Sequence, residues 1–140
     1  MRRLLPALLC LPLLAGCAGP IAQVDQACPQ LNGRHMLQAE LFFGRDISGH
    51  GRVSEAQWAA FLRDSVTPRF PDGLTWQPAS GQWRDRETGR VTREPSFVMR
   101  LVFAETPESL ARVAEIRAAY MQRFRQQSVG LVLSPVCAAF

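Results

Sequence analysis

The chain has 140 residues, 47% of them hydrophobic, and 16 basic against 12 acidic side chains, for a formal charge of +4. Every basic residue is arginine; without lysine, a lysine Schiff base, a phosphate-loop lysine and a lysine general base are all excluded. Two arginines, Arg2 and Arg3, sit in an N-terminal segment that reads as removable. What remains suits one domain with a real core and is too weakly basic to argue for nucleic acid.

Behind Arg2 and Arg3, residues 4–14 form an apolar run of about 11 residues, short of the roughly 20 that span a bilayer. Leu14-Ala15-Gly16-Cys17 closes the run with small residues ahead of a cysteine. The segment resembles a bacterial lipoprotein signal, which implies cleavage before Cys17 and acylation of its thiol; two or more chains then anchor stably. Ala18 stands where an aspartate would favour inner-membrane retention, which points to the outer membrane, facing the periplasm. Gly19, Pro20 and Pro29 interrupt any periodicity, so the expected parts are a signal at 1–16, a lipidated flexible tether at 17–33 and a domain at 34–140. Cys10 leaves with the signal. Cys28 and Cys137 read as a disulfide in an oxidising compartment, the alternative being two unpaired thiols.

Residues 35–43 alternate, with Leu37, Ala39, Leu41 and Phe43 on one face and Gln38, Glu40 and Phe42 on the other, which predicts a strand. Ser54 and Gln57 form a capping box ahead of Trp58, Phe61, Leu62 and Val66 at helical spacing, and the helix should stop before Pro68. Phe70-Pro71-Asp72-Gly73 has the chemistry of a type I turn. Residues 74–84 predict a second strand, placed at an edge by Pro78 and bulged at Ser80-Gly81. Glu87-Thr88-Gly89 turns the chain into a third strand over 96–104, with Phe97, Met99, Leu101 and Phe103 on one side. Thr106 caps a second helix with Pro107 at its first position and Leu110, Val113, Ile116, Tyr120 and Phe124 on one face. A last strand is expected at about 129–134. The order β-α-β-β-α-β predicts an α+β, ferredoxin-like two-layer sandwich: an antiparallel sheet with both helices on one face. The start of the first strand then lies beside the end of the fourth, near Cys28 and Cys137.

The words Leu41-Phe42-Phe43-Gly44-Arg45, Thr67-Pro68-Arg69-Phe70-Pro71-Asp72-Gly73-Leu74-Thr75, Gly81-Gln82-Trp83-Arg84, Arg93-Glu94-Pro95-Ser96, Ile116-Arg117-Ala118-Ala119-Tyr120 and Gln127-Ser128-Val129 resemble an uncharacterised bacterial family of small exported, lipoprotein-like proteins, domain of unknown function 3574. The resemblance covers about 40–134. It implies no reaction and no catalytic residues.

Gly44-x4-Gly49-His50-Gly51 leads from a strand to a capped helix, as an anion loop would, but reads foremost as a connection. His35 and His50 lack further ligands at any metal-binding spacing, so no metal and no cofactor are expected. Candidate ligand-binding residues are Arg69, Asp72, Trp83, Arg84 and Arg93, together with Glu40 and Arg100, which would pair across strands on the open sheet face. The bland reading of the hairpin arginines is a solvated surface, paired with Asp85, Glu87 and Glu94. Gln38, Glu40, Phe42, Val98, Arg100 and Val102 make that open face too apolar for water, which suggests a homodimer or another cover. The function expected is a non-enzymatic envelope lipoprotein that binds a partner protein or a small anionic ligand. The alternative is a cofactor-independent enzyme with its site on the open face of a homodimer, using Glu40 or Tyr120 for proton transfer.

Overall fold

A computed structural model describes residues 27–47 and 50–140. The expected signal, Cys17, most of the tether and Gly49 lie outside the described residues. Four strands, β1 (Arg34–Gly44), β2 (Thr75–Arg84), β3 (Val91–Phe103) and β4 (Gly130–Ala138), form one sheet in the order β2-β3-β1-β4. All three neighbouring pairs are antiparallel. Two helices, α1 (Glu55–Phe61) and α2 (Pro107–Phe124), complete the α+β architecture.

The alternation in β1 does what period-2 patterning requires: Leu37, Ala39, Leu41 and Phe43 are buried. Beside them on the same sheet face lie Phe97, Met99, Leu101 and Phe103 of β3, and the apolar stripes of both helices close a single core against this face. At its centre, Trp58 stacks on Phe97 at 4.4 Å between ring centroids and meets Phe43 edge-on at 5.1 Å. Tyr120 packs against Phe43, Phe61 and Phe124. Burying apolar side chains of this size contributes about 1.5–3 kcal/mol each, before the entropy of ordering them is counted.

The caps behave as written in the sequence. The Ser54 hydroxyl accepts the Gln57 N–H and the Gln57 side chain accepts the Ser54 N–H. Thr106 accepts the Ser109 N–H, with Pro107 following it. After Phe61, α1 widens into a π-helical turn, Leu62–Val66, because the buried Phe61 and Val66 are five residues apart, one π turn rather than one α turn. Leu110 does not join the core and is 38% exposed. Ten residues before Tyr120, it is rotated about 80° from it around an ideal helix and lies at the margin of the stripe.

The hairpin differs from expectation. The β2–β3 register runs without interruption from Thr75 opposite Arg100 to Arg84 opposite Val91, so Ser80-Gly81 forms no bulge and β3 starts five residues earlier than expected. Pro78 is tolerated because β2 is an edge. Strand β4 also outruns its expected end at 134, continuing through Pro135 to pair with the start of β1.

That extension sets Cys137 opposite His35 and joins it to Cys28, with Cα atoms 5.6 Å apart. Cys28 is buried, and Pro29–Leu31 forms a 3-10 turn, so the body begins several residues before the expected boundary at 33. Gly33 is required there: a Cβ would lie 2.5 Å from the Cys137 sulfur and 2.9 Å from that of Cys28. No described helix is long and apolar enough to cross a membrane.

Candidate binding cleft

The far end of the sheet from the disulfide holds a cleft of about 840 Å³. Its floor is the open face at the ends of β1, β3 and β4, where Phe42 pairs with Val98 and Gly130. The β2–β3 hairpin forms one wall. Its tip is fastened to the α2–β4 loop by the Gln127 amide, which donates to Asp85 Oδ2 at 3.1 Å. Within the tip, Asp85 Oδ1 accepts the Glu87 and Thr88 N–H groups and the Thr88 hydroxyl. The Thr88 N–H leads in holding this exposed carboxyl below its ordinary range.

The opposite wall is the loop between β1 and α1. An Asp46–Arg52 ion pair at 3.0 Å closes it, and the Gln126 amide donates to the Asp46 carbonyl at 2.8 Å. Arg45 roots the loop by donating to the Val53 carbonyl, pairing with Glu55 and lying 4.4 Å above the Phe97 ring.

Three strands each give the cleft a glycine. At Gly44 a Cβ would lie 2.7 Å from the Glu94 carboxylate, and at Gly130 it would lie 3.2 Å from Phe42. At Gly81 it would meet only the Ser96 hydroxyl, at 3.8 Å, so a side chain there would grow into the cleft.

Glu94 is the half-buried carboxylate of this end. Its Oε2 accepts the Asp46 N–H at 3.1 Å. Burial raises its pKa above the ordinary 4.5 and the Asp46 charge adds to this, while the Asp46 N–H and Arg52 oppose it. A folded pKa above the unfolded one means that ionising Glu94 costs stability as pH rises from the ordinary value through the folded value. Glu94→Gln should therefore match wild type at low pH and gain on it across that window, holding a small advantage at pH 7. Urea midpoints measured from pH 4 to pH 8 check this; a variant that loses ground as pH rises contradicts the burial account.

The predicted site residues do not converge. Trp83 lies in the cleft wall, with the Arg86 guanidinium 5.6 Å from its ring centre. Arg84 and Arg93 alternate to the other side of the hairpin from Trp83 and Thr92. Arg69 is a structural clamp, bonded to Glu115 at 2.8 Å and to the Ser65 carbonyl at 2.8 Å. Asp72 is in the turn before β2, at the opposite end from the cleft. Glu40 and Arg100 pair across β1 and β3 at 2.7 Å, as expected, on the middle of the open face.

Among the described residues no ion pair joins Arg84, Arg86, Arg90 or Arg93 to Asp85, Glu87 or Glu94. The expected pairing within the hairpin is corrected on this point: Asp85 is used by its turn and Glu94 by the Asp46 backbone. Tyr120, a residue of the enzyme alternative, is buried, and its hydroxyl donates to the Gly44 carbonyl at 2.8 Å. Burial drives that phenol far above its usual range. No group of three or more His, Cys, Asp or Glu among the described residues is placed to hold a metal.

Sequence reasoning missed Glu94, Gly81 and Gly130 as site residues. A signal was present. The words at 41–45, 81–84, 93–96 and 127–129, four of the six that carry the resemblance, meet around this cleft. The family model described as "Protein of unknown function (DUF3574)" matches residues 38–140. The chain belongs to the DUF3574 family. No curated protein matches this DUF3574 chain at a significant level.

Among solved structures, it is similar to a phage SAM lyase in complex with S-methyl-5'-thioadenosine, at 13% identity and a TM-score of 0.58, over 75% of this chain and 90% of that one. The same enzyme in its apo state gives 13% identity and 0.56, over 75% and 86%. A hydantoinase/carbamoylase-family amidase from Burkholderia multivorans matches at 14% identity and only 0.31, over 76% of this chain and 29% of that one. At these identities the likeness to the phage lyase is one of fold alone.

Proposed function

We propose that this DUF3574 chain is a non-enzymatic envelope lipoprotein, tethered by an acylated Cys17 to the outer membrane, whose ferredoxin-like body binds a small ligand in the cleft. The order β2-β3-β1-β4, with β3 inserted between β1 and β2, supports the ferredoxin-like description. The tether would enter at Cys28, and the cleft lies at the other end of β1, on the order of 30 Å away. A body hung in this way presents its cleft away from the membrane.

The observation that carries the reading is the meeting of those four words around one cleft, while the arginines first suspected lie scattered. In size the cleft falls within the roughly 300–1,000 Å³ of small-molecule sites. One observation favours the enzyme alternative. Glu94 is a half-buried carboxyl in a cleft, the environment that tunes acid–base groups, and it draws that alternative to the cleft end of the open face. On the open face beyond the cleft, Val132 is 50% exposed, and a homodimer would cover it.

Native mass spectrometry of the full-length protein, taken from its own envelope in mild detergent, tests the cleft. A small molecule released from wild type and absent from Gly81→Leu is the expected result. Equal release from both variants would place the site elsewhere.

A further inference from the structure

We propose that the cleft takes a neutral, hydroxyl-rich ring, a glycan unit of one or two sugars, with its ring face on Phe42 or Trp83 and its hydroxyls on Glu94 and the surrounding amides. This rests on the reading of the cleft as a binding site and names the chemistry of its ligand.

Two aromatic side chains remain open to solvent in the cleft, Phe42 at 39% and Trp83 at 36% exposure. A pyranose ring offers such surfaces a flat patch of C–H groups, and an aromatic side chain pairs an apolar face with polar surroundings. The bare wall at Gly81 leaves room for a ring beside it.

The polar groups interleave donors with acceptors. The Gln126 NH₂ donates to the Asp46 and Phe124 carbonyls and the Gln127 NH₂ to Asp85, and both side-chain carbonyls stay available as acceptors. Glu94 spends one oxygen on the Asp46 N–H and keeps the other. Arg90 and Arg125 make no ion pair among the described residues and supply donors. A sugar hydroxyl donates once and accepts as well, so a run of neighbouring hydroxyls answers a lining of this kind.

Charge argues against the ionic alternatives. Asp46 is paired with Arg52, and the remaining charges of the lining are two carboxylates, Asp85 and Glu94, and two guanidiniums, Arg90 and Arg125, which sum to zero. Carboxylates and guanidiniums balance across the lining, so neither an anion nor an organic cation gains a net attraction from it. A neutral ligand hydrogen-bonds to both kinds of group without repulsion.

The test is calorimetric titration of the full-length protein in detergent with four probes, each to about 10 mM: di-N-acetylchitobiose, maltose, inorganic phosphate and choline. Saturable binding of a disaccharide, weakened at least about tenfold in Gly81→Leu and in Glu94→Ala, is expected. Chitobiose alone would identify an amino-sugar glycan and maltose alone a hexose glycan. Trp83→Ala, on an exposed edge strand, replaces Gly81→Leu should that variant fail to fold.

Binding of phosphate or choline, blocked by Gly81→Leu, without sugar binding would overturn the glycan assignment and leave the cleft standing. Sugar binding untouched by Gly81→Leu and by Trp83→Ala would overturn the cleft itself. Failure of both disaccharides to bind wild type overturns the proposal.

Discussion

Replacing both Cys28 and Cys137 by alanine should lower unfolding stability by about 4–5 kcal/mol, the loop-entropy value for a closure of this length. The two residues are 109 apart in sequence, so the bridge constrains nearly the whole described chain in its unfolded state. It also pins the segment before β1 to the end of β4, an edge strand whose last residues pair only with β1. Domains of this size are stable by only about 5–15 kcal/mol in total, so the variant should unfold at markedly lower urea. Urea melts with and without reductant provide the check. Reduced wild type should coincide with the double variant, and the variant should ignore reductant. Coincident melts for wild type and the double variant would show that the bridge contributes nothing.

Trp58→Ala should cost about 3–5 kcal/mol, the range for deleting a large buried aromatic side chain. Trp58 is fully buried and lies within ring contact of Phe43, Phe61, Trp76, Phe97 and Tyr120, so the cavity would open where both helices meet the sheet. Its indole N–H is the one buried side-chain polar atom among the described residues without a hydrogen-bond partner. Trp58→Phe removes that unsatisfied donor as well as part of the ring, and the two effects oppose each other. It should therefore cost well under half as much as alanine. Calorimetric melts of both variants test the ranking; equal losses would mean that ring volume does not set the cost.

What could be read in the chain was mostly local. The alternation from Leu37 to Phe43, the Ser54–Gln57 box and the Thr106-Pro107 cap each carry their meaning within a few residues, and each is realised. The Glu40–Arg100 pair was also readable, because a correct strand order brings the two opposite each other. The early part of β3, from Val91 to Pro95, was hidden for a physical reason: most of it is wet, so no burial imposes a hydrophobic alternation. Pro135 hid the end of β4 by resembling a terminator, although a strand paired on one side only tolerates proline.

The cleft was hidden more deeply. Glu94 reads locally as a partner for its arginine neighbours, and only the register with β1 shows it lying over Gly44 beneath the Asp46 N–H. Gly44, Gly81 and Gly130 come from three strands and gain a common purpose only when the sheet is assembled. Arg69 misled in the other direction, because its partner Glu115 is 46 residues away on another element.

The proposed function turns on acylation of Cys17. Metabolic labelling with palmitate in the native host measures this directly. The account predicts label in the wild-type membrane fraction and none in Cys17→Ser, which should appear unacylated. Label that survives the substitution, or full-length unacylated wild type in the soluble cytoplasm with its first sixteen residues intact, would contradict it.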